Sequence, residues 1–190
     1  MNLLLHSCCG PCLGGAVDCF EENNWEVTAF WDNPNIHPYM EFKARLDSFN
    51  VLTEQLEIPV LYSEKRYAPE RFFEAIDGDF SEKRCFKCFY LRLKNTVSTA
   101  KKEGFSAFST TLQISPYQNR ELLLMAALKL ADEYECPFIE IDLRPFFPRT
   151  YEVIKKFELY KQKYCGCVFS EKERFENDRK HGLCFRSEKF

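Results

Sequence analysis

Seven cysteines in three short groups are the residues of this chain whose type and spacing can do chemistry: CCGPC at 8–12, CFKC at 85–88 and CGC at 165–167. Cys85 and Cys88 stand one helical turn apart, which puts both thiols on one side. That spacing serves zinc and iron–sulfur clusters alike. One such pair is a weak signal. Cys8 and Cys9 bring the total to the four thiolates that complete a tetrahedral site, and Cys12 is an alternative ligand or the holder of a second metal. Cys165 and Cys167 differ, because a disulfide between them would close a small strained ring, and strained disulfides are the labile or catalytic ones. Gly166 supplies the backbone freedom such a ring needs. The spacing suits a redox-active dithiol or a second metal site. The other three cysteines, Cys19, Cys136 and Cys184, are isolated and read as small hydrophobes. One structural zinc is the plainest alternative for the whole set, but seven clustered thiols exceed the four it takes.

Polar residues accompany these groups. Asp32 follows an apolar run and offers an oxygen ligand or a proton donor, or ordinary turn chemistry. NPNIHP at 33–38 contributes Asn33, Asn35 and His37. Glu41 and Arg45 have the i,i+4 spacing of a helical ion pair, and Arg84, Tyr90 and Arg92 flank CFKC. STTLQISPYQ at 109–118 includes Thr111 and Ser115, whose hydroxyls suit ribose or phosphate contacts. Lys161 and Lys163 precede CGC and offer charge for a phosphate backbone or a solvated face.

These groups need elements to carry them. NLLLHS (2–7) has a buried-strand pattern running into a Cys/Gly/Pro turn, and Leu13–Asn23 reads as a helix. Val27–Trp31 reads as a second strand. Phe42, Leu46, Phe49, Leu52 and Leu56 recur at helical spacing. IPVLY (58–62) is a third strand, 70–77 a short helix and 78–84 a polar loop. Cys85–Gly104 is a helix stopped by its glycine. FSAFST (105–110) is a fourth strand, followed by a loop, a helix over Glu121–Tyr134 and a fifth strand, PFIEIDL (137–143). Residues 150–163 read as helix, and a basic irregular tail lies within 164–190. Alternating strands and helices predict α/β architecture, a single domain over 1–190 with a parallel sheet and helices on both faces. In such sheets ligands bind at the carboxyl ends of the strands, which is where CCGPC, NPNIHP and the 111–120 loop fall.

The composition is that of a globular protein: 190 residues, 45% hydrophobic, 29% charged. An aromatic share of 16% leaves rings to spare for packing or stacking. A net charge of −3 argues against a uniformly basic nucleic-acid coat. The charge is uneven, however: residues 144–190 hold 12 Lys/Arg against 7 Asp/Glu, a net of +5, while residues 1–143 hold 14 against 22, a net of −8. The longest apolar stretch, Leu122–Leu128, is far short of the ~20 residues that span a bilayer. The N-terminus lacks the basic region of a signal peptide, so a cytoplasmic location is expected.

Taken together and in order, HSCCGPC, DNPNIHP, RCFKCFYLRL, STTLQISP and YCGCVFS resemble the cobalamin-independent epoxyqueuosine reductase family, QueH type, from Leu3 to about Ser170. The resemblance implies a fold like that of the adenine-nucleotide α-hydrolases (Rossmann-like). It also implies reduction of epoxyqueuosine to queuosine in tRNA. By the same resemblance Cys8, Cys9, Cys85 and Cys88 bind a [4Fe–4S] cluster beside a second metal ion, iron, for which Cys12 is a candidate ligand. Cys165 and Cys167 are then the redox pair and Asp32 a catalytic candidate. Asn33, Asn35, His37, Thr111 and Ser115 are candidates for substrate binding. The expected partners are the tRNA anticodon loop and an external electron donor, with no membrane and no stable protein partner. Two positions depart from the family pattern: Asp32 stands where a tyrosine is expected, and Gln113 where an apolar residue is expected.

Three other readings make different demands. An ATP-dependent tRNA thiolase on a similar fold needs a Gly-rich pyrophosphate loop after the first strand, where this chain has SCCGPC. A zinc-stabilised, non-catalytic RNA-binding module needs one zinc and no sulfide. A disulfide oxidoreductase working through CGC alone needs no metal.

Overall fold

The computed structural model describes residues 1–176. Four parallel strands, β1 (Asn2–His6), β2 (Glu26–Trp31), β3 (Val60–Tyr62) and β4 (Ala107–Thr110), form one sheet in the order β3-β2-β1-β4. β1 lies between β2 and β4, with Leu3 paired to Val27 on one side and Ala107 on the other. Its three leucines are wholly buried, as a central parallel strand covered on both faces requires.

Helices flank the sheet in two groups. α1 (Gly10–Glu21) packs on α2 (Tyr39–Gln55) and α6 (Arg149–Phe157). α4 (Arg84–Glu103) packs on α5 (Arg120–Glu133), on β1 and β4, and against the short α3 (Pro69–Ile76). Gly104 stops α4 in the left-handed region, at φ 76°, the turn a glycine makes without strain. Gly10 is required by packing, since a Cβ there would lie 2.5 Å from the Ser48 carbonyl oxygen on α2. No helix of the described residues is long and apolar enough to cross a membrane.

The fold departs from the sequence expectation in four places. α1 begins at Gly10, not Leu13, because Pro11 sits at its first turn and the Cys9 sulfur caps it, accepting from Cys12 N–H at 3.2 Å. The expected fifth strand makes a single bridge, Phe108 with Phe138. Side chains take over there: Ser109 Oγ (2.7 Å) and Gln113 Nε2 (3.2 Å) donate to the Ile139 carbonyl, and Gln113 Oε1 accepts from Ile141 N–H at 3.1 Å. The ladder therefore ends where Gln113 replaces it. The helix expected over 150–163 spans Arg149–Phe157 and ends with Glu158 at φ 52°. Part of the expected irregular tail is helical, α7 (Val168–Glu176). Residues 177–190, with Cys184, lie outside the described residues.

Candidate metal centre and redox site

Cys8, Cys9 and Cys12 converge at the carboxyl end of β1 because the chain turns there from a buried strand directly into α1. Their Sγ atoms lie within 4.8 Å of one another, and all three are buried. Thr111, at the carboxyl end of β4, holds the first of them: its Oγ1 accepts from Cys8 N–H at 3.1 Å and donates to Cys8 Sγ at 3.4 Å. The three thiols are held in unequal environments. Hydrogen bonds from the Cys12 and Cys9 thiols hold Cys8 well below the usual thiol range. Burial pushes Cys9 up, and the bond to Cys8 pushes Cys12 up.

The second gathering is between α4 and the chain before α7. Cys88 and Cys167 share a small apolar cluster with Phe72 and Ile76. Burial pushes the Cys85 thiol up to about 11 and that of Cys88 up to about 12, and the sulfurs of Cys165 and Cys167 raise both further. Arg84 pins this layer through an ion pair with Glu173 on α7 and by lying over the Phe169 ring at 5.3 Å. Cys85 and Cys165 are half-buried, whereas the other five motif thiols are buried. All nine described cysteines are free thiols. Cys19 and Cys136 lie in the main core, as their isolation suggests.

The CGC loop is docked onto the NPNIHP turn. Gly166, at φ 140°, accepts from His37 N–H at 2.9 Å, and Val168 N–H donates to His37 Nδ1 at 3.2 Å. Tyr164 Oη donates to the His37 carbonyl at 2.8 Å. Arg45 reaches up from α2 with Nη1 on the Cys165 carbonyl and Nη2 on that of Tyr164, both at 2.9 Å. Glu41 balances its charge at 2.6 Å and also accepts from Tyr160 Oη at 2.5 Å. The i,i+4 spacing made this pair visible in the sequence. Its grip on a loop 120 positions away was not.

Arg92 is the charge at the centre. It is 1% exposed; Nη2 donates to Asn33 Oδ1 at 2.7 Å, while Nε and Nη1 have no partner. Its charge favours the thiolate forms of Cys8, Cys88 and Cys165. His6 ties the strand ends together, with Nε2 on the Asp32 carbonyl at 3.3 Å and Nδ1 on Thr110 Oγ1 at 2.8 Å. A carbonyl only accepts, so Nε2 carries the proton and Nδ1 accepts from the hydroxyl. Burial and Arg92 lower its pKa to about 3, which keeps the ring neutral. Neither residue stood out in the sequence for this role; His6 ends an apolar strand run, and Arg92 only flanks CFKC.

The remaining candidates divide. Asp32 is buried, but its carboxylate is held by Arg71 Nη1 (2.6 Å), Arg71 Nη2 (3.0 Å) and Asn95 Nδ2 (2.8 Å). Asn33 spans Ser7 O and Arg92. Asn35 Oδ1 and His37 Nε2 are buried without partners. Thr111 is occupied by Cys8, and Ser115 Oγ accepts from Tyr117 N–H within its turn. Gln118, from the same loop, donates to Cys165 Sγ at 3.2 Å.

This site can hold a metal. Buried thiols are soft ligands suited to zinc or iron–sulfur clusters. Unpartnered buried donors and acceptors around them are costly unless something bound satisfies them.

The family model for epoxyqueuosine reductase QueH matches residues 3–173. Three epoxyqueuosine reductases of that name are similar over most of their length. The protein of Dehalococcoides mccartyi is 36% identical, with 92% of this chain and 94% of that protein covered. That of Acinetobacter baylyi is 32% identical, covering 89% and 80%. That of Thermotoga maritima is 31% identical, covering 92% and 93%. A solved deacetylase–teicoplanin complex aligns over 96% of this chain and 94% of its own at 12% identity. Its TM-score of 0.47 is too low to bear on fold or function. With the family model matched from strand β1 into α7, and relatives above 30% identity along nearly the whole chain, this protein belongs to the epoxyqueuosine reductase QueH family.

Proposed function

We propose that this protein reduces the epoxide of epoxyqueuosine in tRNA to the alkene of queuosine. The observation that carries the reading is the gathering of motif thiols into two groups: Cys8, Cys9 and Cys12, and Cys85 and Cys88 beside Cys165 and Cys167. In this reading Cys8, Cys9, Cys85 and Cys88 hold a [4Fe–4S] cluster and Cys12 contributes to a second iron site. When bound, the cluster would relay electrons one at a time and the second iron would act as a Lewis acid.

The reaction takes two electrons and two protons, and the oxygen leaves as water. Cys165 and Cys167 supply both on closing a disulfide, which an external donor then reduces. Gln118 and Arg45 hold the half-buried Cys165 for this step. Asn35 Oδ1 and His37 Nε2 are unpartnered acceptors or donors for substrate. Asp32 acts as an anchor for Arg71 and Asn95 in this scheme, not as the proton donor. An anticodon-loop base can be splayed out without breaking a duplex, and tRNA places the reaction in the cytoplasm.

The test is iron, zinc and acid-labile sulfide per chain after anaerobic purification, followed by conversion of epoxyqueuosine-containing tRNA. Four or more irons with matching sulfide, and turnover, are expected. One zinc without sulfide, even after anaerobic reconstitution, would overturn the reductase in favour of a zinc-stabilised RNA-binding module.

A further inference from the structure

A strip of aromatic rings runs across the surface toward the half-buried Cys165. Tyr117, 83% exposed, stands edge-on to Phe147 at 5.9 Å between ring centroids, and Phe147 stands edge-on to Tyr151 at 5.6 Å. Lys161 Nζ lies 4.7 Å from the Tyr151 ring centre, and Arg149 lies over Phe146 at 4.6 Å. At its other end the strip reaches the site: Gln118, next to Tyr117, donates to Cys165 Sγ. Residues 149–163 hold five Lys/Arg against two Glu, in a chain of net charge −3. Phe146 and Phe147 pack partly against the core, while Tyr117 and Tyr151 stand out from it. A protein interface would bury them against apolar side chains. Exposed rings interleaved with cations instead match single-stranded nucleic acid, whose bases stack on the rings while its phosphates meet the cations.

We infer that the Tyr117–Phe147–Tyr151 strip, with Lys161 and Arg149, is the track for the unpaired RNA that flanks the reacting nucleotide. This rests on the proposed action on tRNA. Tyr117 stacks the base nearest Cys165, and Lys161 contacts a backbone phosphate further along.

Binding of the full-length, anaerobically purified protein to a fluorescent anticodon stem-loop RNA tests it. Tyr117→Ala should weaken binding about five- to a hundredfold, the range one stacked base spans. Tyr117→Phe should restore it, because the ring and not the hydroxyl stacks. Lys161→Ala should lower the slope of log K against log salt by about one. A duplex of equal length should bind more weakly than the stem-loop. Iron and sulfide content should stay at wild-type levels in each variant. Wild-type affinity in Tyr117→Ala, or equal losses in Tyr117→Ala and Tyr117→Phe, would overturn the track while leaving wild-type turnover, and so the proposed function, standing. No binding of the stem-loop by the unaltered protein would overturn both.

Discussion

Arg45 Nη1 donates at 2.9 Å to the carbonyl of Cys165, 120 positions further along the chain. The guanidinium is 1% exposed and neutralised by Glu41, so a charged pair is buried beneath the CGC loop. Buried pairs contribute little net stability, but losing one partner is costly because the other charge stays behind.

Arg45→Met should therefore destabilise the fold by about 3–5 kcal/mol, and adding Glu41→Gln should recover part of that. Urea unfolding of the two variants, read as a double-mutant cycle, gives the coupling. Additive losses would mean that the pair acts only through separate contacts.

Gly166 makes a second demand on the same loop. At φ 140° a side chain is strained, and a Cβ would lie 3.1 Å from both Asn35 Nδ2 and Ile36 Cγ1. Gly166→Ala should cost about 1–3 kcal/mol and increase alkylation of Cys165 as the loop lifts from the turn. An unchanged melting temperature with unchanged labelling would contradict the docked loop.

Gln113→Leu tests the truncated sheet edge. It restores the apolar residue expected of the family but strands Ile141 N–H and removes a donor from the Ile139 carbonyl. A loss of about 1–3 kcal/mol is expected, with faster amide exchange at Ile141. If protection at Ile141 is retained, a strand ladder forms once the glutamine is gone.

The cysteine roles separate by readout. Cys88→Ser should remove the iron-associated colour, and a variant that stays brown with full iron would refute it as a ligand. Cys167→Ala should keep iron and sulfide but lose turnover. Full activity there would remove the redox-pair role.

Alkaline pH should loosen the Arg45 anchor. Burial and the bond to Glu41 push Tyr160 up to about 12, above the ~10 of an unfolded chain. Between those values the folded protein keeps a proton the unfolded chain has lost. Stability therefore falls as pH rises from about 10 to about 12. Tyr160→Phe should flatten part of that fall in chemical denaturation. A slope identical to the wild type's would show that Tyr160 ionises as it does in the unfolded chain.

Residue order alone determined much of this protein. Leu3–Leu5, Val27–Trp31 and the helical spacing of Phe42 to Leu56 encode the βα alternation, because periodicity and burial are local properties. The parallel topology then sends CCGPC, NPNIHP and the 111–118 loop to one rim, so the neighbourhood of the site was legible before any contact was known. Cys19 and Cys136 read correctly as core for the same reason. The charge and hydrogen-bond assignments were decided only in three dimensions. Asp32 looked like an acid awaiting work until Arg71, 39 positions on, took both its oxygens. Thr111 looked like a substrate contact until Cys8, 103 positions earlier, occupied its hydroxyl. The fifth strand looked regular until Gln113 and Ser109 competed for its backbone. Arg92 and His6 carried no local signal, since a buried charge or a neutral imidazole is defined by what long-range packing brings against it. Each of these outcomes depends on partners far apart in sequence, and a polar group's role follows from the partners it is left with once the chain has folded.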